Sequence, residues 1–118
     1  MWAEFQQTLV RVAGENARDC GHARLEAEIT SVILCINNSI AVGGPFRASS
    51  VAQGIDSYLV FGLVKDDYEQ GYFVAGDSDV SGGGGARARP RVVVYRCSEV
   101  RLSQPSDLRE MCVDRVEI

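Results

Sequence analysis

A chain of 118 residues with 46% hydrophobic and 24% charged side chains is long enough for one hydrophobic core and too apolar to stay disordered. Its formal net charge of -4 and pI near 4.9 argue against a nucleic-acid partner, because displacing the counterions of a phosphate backbone takes clustered Lys and Arg. No apolar run approaches the roughly 20 residues of a membrane helix, so no membrane partner is expected either.

Residues 2–20 place Phe5, Leu9, Val12, Ala13 and Ala17 at steps of three and four, the period of a helix with one buried stripe. The spacing predicts a first helix to about Cys20, weakened by Gly14 and ended by Gly21 at the position that favours φ > 0, with residues 22–24 as the turn. Leu25, Ile29, Val32, Ile33, Ile36 and Ile40 repeat the period and predict a second helix, stopped near Val42 by Gly43, Gly44 and Pro45. Residues 46–53 fit either an edge strand or a loop. Residues 58–64 are almost continuously apolar, then Lys65, Asp66 and Asp67 intervene before Tyr72, Phe73 and Val74, the pattern of a β-hairpin. A strand this apolar is expected at the sheet centre with both faces covered, by the helices on one side and by another surface, such as a partner copy, on the other. Residues 76–88 read as a loop, residues 91–97 as a strand, and Val113, Val116 and Ile118 as a weaker terminal strand. The expected fold is one α+β domain over residues 1–118, with two N-terminal helices packed on an antiparallel sheet of three to four strands.

Four cysteines, Cys20, Cys35, Cys97 and Cys112, match no zinc spacing. If Cys20 ends one helix and Cys35 lies midway along the next, about 15 Å from the bend at 1.5 Å per residue, they are the poorest pair against a Cα separation limit of about 7 Å. Cys97 with Cys112 is the bond expected on oxidation, and free core-packed thiols are the first expectation. With no basic or apolar leader after Met1, the chain reads as cytoplasmic, or as exported if a leader has been removed.

Candidate sites are few. His22, the sole histidine, lies two residues from Cys20, but a solvated His beside a packed Cys is the simpler reading. Asp77, Asp79 and Ser81 followed by Gly82 open like a calcium loop, yet Ala88 stands where the bidentate acid belongs, so no metal is expected. Residues 82–85 are four glycines without the Gly-Lys-Ser of a phosphate loop. Asp77, Asp79, Arg87 and Arg89 would form a ligand or partner loop, and Asp56, Asp77 and Asp79 are the candidates for acid or base work.

The strings Asp19-Cys20-Gly21, Pro45-Phe46-Arg47, Gly54-Ile55-Asp56-Ser57 and Asp77-Ser78-Asp79, with Trp2, Phe5, Cys35 and Cys97, resemble small uncharacterised bacterial proteins of the kind carried on mobile integron gene cassettes. That resemblance implies no activity. Helices followed by a curled antiparallel sheet are similar to the cone-shaped families of nuclear transport factor 2 and ketosteroid isomerase. The functional expectation is a homodimeric binding or adaptor domain for a small molecule or protein, with no cofactor. The alternative is a small enzyme using a buried aspartate.

Overall fold

A computed structural model describes residues 1–53, 58–78, 90–102 and 107–118. Helix α1 spans Trp2–Ala13 and buries Phe5, Thr8, Leu9 and Ala13, the stripe its period dictates. It ends at Gly14, not near Cys20: Gly14 takes φ 91° and donates its N–H to the Val10 carbonyl at 2.9 Å. A glycine that weakens a helix interior serves equally as its stop, because it enters positive φ without a Cβ clash. The chain is thereby free to extend, and Arg18–Ala23 forms strand β1 where a helix end and turn were expected.

Helix α2, Glu26–Val42, follows as predicted and halts at Gly43. Residues 46–53, ambiguous in sequence, form β2 (Phe46–Gln53), which runs parallel to β1, so β1, α2 and β2 are one crossover unit. The hairpin of β3 (Tyr58–Lys65) and β4 (Gly71–Asp77) is present, its turn fixed by the Asp66 carboxylate accepting the N–H groups of Tyr68 and Gln70 at 2.9 Å each. Strand β5 (Arg91–Arg96) pairs with β4, and the short β8 (Val116–Glu117) pairs with β5. The α+β class therefore holds, but the main sheet is mixed and, among the described residues, has six strands in the order β1-β2-β3-β4-β5-β8. The expectation of three to four antiparallel strands missed β1, whose first three residues were read as the end of the first helix and whose last three as its glycine stop and turn.

The helices lie on opposite faces rather than together. On one face Phe5, Leu9 and Ala13 of α1 pack with Val60, Val64 and Val74. On the other, Ile33 and Ile36 of α2 pack with Phe46, Leu63 and Phe73. Val60, Leu63 and Val64 are wholly buried. The apolar run of β3 thus has both faces covered by its own chain, and the second surface sought from a partner copy is the other helix.

The segment after β5 folds back over the α2 face. Strands β6 (Glu99–Val100) and β7 (Cys112–Val113) pair antiparallel around the 3₁₀ turn Leu108–Met111, whose Leu108 and Met111 are fully buried. Cys97 and Cys112 are disulfide-bonded, as expected on oxidation. So are Cys20 and Cys35, with Cα atoms 5.5 Å apart, which corrects both the expectation of free thiols and the rejection of this pair. The rejection assumed that Cys20 ended a helix; on β1 it lies alongside α2.

The seating of α1 on β3 depends on Gly62. A Cβ there would come within 2.5 Å of Leu9 Cδ2 and 3.2 Å of Phe5 Cζ. Gly62→Ala should lower stability by about 1–3 kcal/mol in urea unfolding, the usual range for overpacking a core. Unchanged stability would mean that α1 does not sit on this strand.

Candidate functional site

The crossover unit creates two sites, one on each side of β2. The larger is a cavity of about 390 Å³ at the C-terminal ends of β1 and β2, bordered by the start of α2. Ligands of open α/β sheets commonly sit in such a position. β1 stops at buried Ala23; Leu25 is still extended, and the Glu28 carboxylate accepts the N–H groups of Arg24 and Leu25 at 3.0 Å. That contact fixes the angle at which α2 leaves the sheet and turns Ile29 to the cavity wall. Ser50 and Ala52 of β2 and Phe61 of β3 supply the floor.

The opposite wall belongs to the folded-back segment. Asp107 caps its 3₁₀ turn by accepting the Arg109 N–H at 2.8 Å, and it also receives Nε and an NH₂ of the Arg109 side chain at 3.0 and 2.8 Å. The Arg109 guanidinium lies 5.0 Å from the Phe61 ring centroid, within cation–π range. Burial pushes the Asp107 carboxyl up, but the Arg109 hydrogen bonds and the charges of Arg109 and Arg115 outweigh it and hold the carboxyl below its ordinary value. Asp107 is therefore an ionised wall, not a proton donor at neutral pH. Ser50 is 7% exposed and lines the cavity, and among the described residues no buried side-chain nitrogen or oxygen is left without a hydrogen-bond partner.

On the α1 side of the sheet, His22 Nδ1 lies 2.8 Å from Ser49 Oγ beside a cavity of about 130 Å³. The bulge in β1 makes this contact. Asp19 pairs with Arg47 and His22 with Ser49, so three steps on β1 oppose two on β2, and Gly21 absorbs the irregularity at φ 94°. Without that slip His22 would fall opposite Ser50 and face the other way. The imidazole packs against Trp2, centroids 4.7 Å apart, and Asp19 pairs with Arg47 at 3.4 Å alongside. Burial lowers the His22 pKa, Arg24 lowers it further, and Glu28 opposes them.

The sequence-predicted candidates fall elsewhere. Asp77 ends β4 opposite Leu59 and Arg91 and lines neither cavity. Asp56, Asp79, Ser81, Arg87 and Arg89 lie outside the described residues. His22, expected in a solvated turn, is on a strand and half-buried, and the sulfur of Cys20 is committed to Cys35. Among the described residues no group of three or more His, Cys, Asp or Glu is placed to hold a metal ion, and no helix is long and apolar enough to cross a membrane. Sequence reasoning passed over Ser49, Ser50, Asp107 and Arg109. The signals were the tandem serines after a glycine–glycine–proline helix stop and the Asp-x-Arg cap before Cys112. No family model matches the sequence, and comparison with curated proteins and solved structures gave no match.

Because Trp2 is the sole tryptophan and touches the sole histidine, its emission should report the imidazole charge. We expect one inflection below the ordinary histidine value near 6.5, lost in His22→Gln. Stability should follow the same sign. The neutral ring's contribution is complete above the unfolded-state pKa and is lost as pH falls through the folded one. An inflection above 6.5 would contradict the burial described.

Proposed function

We propose that this chain is a binding domain that takes a small molecule into the cavity at the ends of β1 and β2. The observation that carries the reading is the lining of the cavity at the ends of the parallel pair, where Ser50 lies between the apolar Ile29, Ala52 and Phe61 and a charged rim of Arg24, Glu26, Asp107 and Arg109. Concavities that combine apolar walls with convergent polar groups are what small ligands occupy. A cavity of about 390 Å³ lies within the size of such sites. The charges at the rim largely cancel, which favours a neutral or zwitterionic ligand over a polyanion.

Two disulfides in so small a chain also favour an oxidising compartment, so we assign its work to the exported setting rather than to the reduced cytosol. There the disulfide between Cys97 and Cys112, with the buried Leu108 and Met111, holds the Asp107 and Arg109 wall in place.

A fragment screen by amide chemical shift tests the reading. Bound compounds should move Ser50, Ile29, Phe61 and Arg109 together and raise thermal stability, by about 2.7 kcal/mol for a ligand at a hundred times its Kd. Ala52→Leu, which fills the cavity floor, should abolish those shifts while the domain stays folded. Compounds that bind only outside this cavity would contradict the proposal.

A further inference from the structure

We propose that Ser49 and His22 form a second site that is chemically active: a hydroxyl with its own base, able to accept a short acyl group from an activated ester. Nothing in the small-molecule cavity is needed for it, since Ser49 and Ser50 point to opposite faces of β2.

The geometry meets the requirements of a nucleophile and base in turn. Ser49 Oγ and His22 Nδ1 are in direct hydrogen-bond contact at 2.8 Å, the reach a general base needs. That bond is the only one the Ser49 hydroxyl makes among the described residues. The imidazole is held from outside by Trp2 and from below by the Gly21 bulge, so its orientation is fixed before any substrate arrives. The adjoining cavity of about 130 Å³ exceeds the ~10–15 Å³ that one water requires and remains small, which selects a short acyl group. Gln6 and Arg47 line the same cavity, and the Arg47 hydrogen bonds to the Ala17 carbonyl and Asp19 are both long, at 3.4 Å. Their N–H groups are donors for an oxyanion.

The step balances without an outside reagent beyond the ester and water. Ser49 Oγ bonds to the carbonyl carbon as its proton passes to His22 Nδ1, and the C=O electron pair moves onto oxygen. Collapse of that intermediate breaks the bond to the leaving oxygen, which departs with the bonding pair and receives the proton back from His22. The product is an acyl ester of Ser49. Water then repeats the sequence, releasing the carboxylic acid and restoring the hydroxyl.

The charged groups around His22 are Arg24, Glu28, Asp19 and Arg47, while α1 presents the uncharged Trp2 and Gln6. The rate should therefore rise with pH as the imidazole loses its proton and level off above that point.

The test is wild-type protein treated with 4-nitrophenyl acetate at several pH values, with the acetyl group located by tandem mass spectrometry. Acetyl on Ser49 is expected, with nitrophenolate release that follows the His22 titration. His22→Gln should slow release on the order of 10²-fold or more. Ser49→Ala should remove the label, whereas Ser31→Ala, on the exposed face of α2, should change nothing. Acetyl found only on Lys65, the chain's one lysine, or on the N-terminal amine would overturn the proposal, as would release that does not depend on His22. Location of the label on wild-type protein decides the matter even if a variant fails to fold.

Discussion

The parallel pairing of β1 with β2 is the contact on which the rest depends. An antiparallel hairpin needs only a tight turn, but two adjacent parallel strands require a long crossover, and α2 is that crossover. Because it must return over one face, α1 is left to cover the other, and β3 and β4 become the middle of a three-layer arrangement. Both cavities follow. The C-terminal ends of the parallel pair open toward the start of α2, and the bulge in β1 brings His22 level with Ser49.

Two cross-links secure this arrangement within the α2-face core. One ties β1 to α2, so the crossover cannot drift from its sheet edge. The other ties the end of β5 to β7 and closes the segment that carries Leu108 and Met111 into the core. Between those two buried side chains sits Arg109, stacked over Phe61 and paired with Asp107. The same residues that complete the hydrophobic layer therefore place the charged wall of the larger cavity.

Much of the fold was legible in the sequence, for identifiable reasons. The α2 period and its Gly43-Gly44-Pro45 stop, the β3–β4 hairpin and the valine run of β5 are local patterns that tertiary packing did not override. β1 was not legible, because Ala17 continues the spacing of α1 toward Cys20, Gly21 reads as its stop, and the decisive feature is the backbone of Gly14. Losing β1 had three consequences: the parallel crossover vanished, Cys20 was set too far from Cys35, and His22 became a solvated turn residue. The site was legible in chemistry only. His22 was noticed for being the sole histidine, but its partner lies 27 residues away and is matched to it by a bulge that no periodicity announces. Asp107 and Arg109 owe their position to a disulfide closure and so are not marked by local pattern either.

The cysteine pairing tests the crossover most directly, and the sequence makes it easy to read. Arg18, Arg24, Arg47, Arg96, Arg101, Arg109 and Arg115 place the four cysteines on four separate tryptic peptides, residues 19–24, 25–47, 97–101 and 110–115. Protein oxidised to equilibrium in a glutathione buffer, alkylated and digested without reduction should yield 19–24 linked to 25–47 and 97–101 linked to 110–115. Cys20 joined to Cys97 or Cys112, or recovered alkylated beside an alkylated Cys35, would remove β1 from its place next to α2 and with it both cavities.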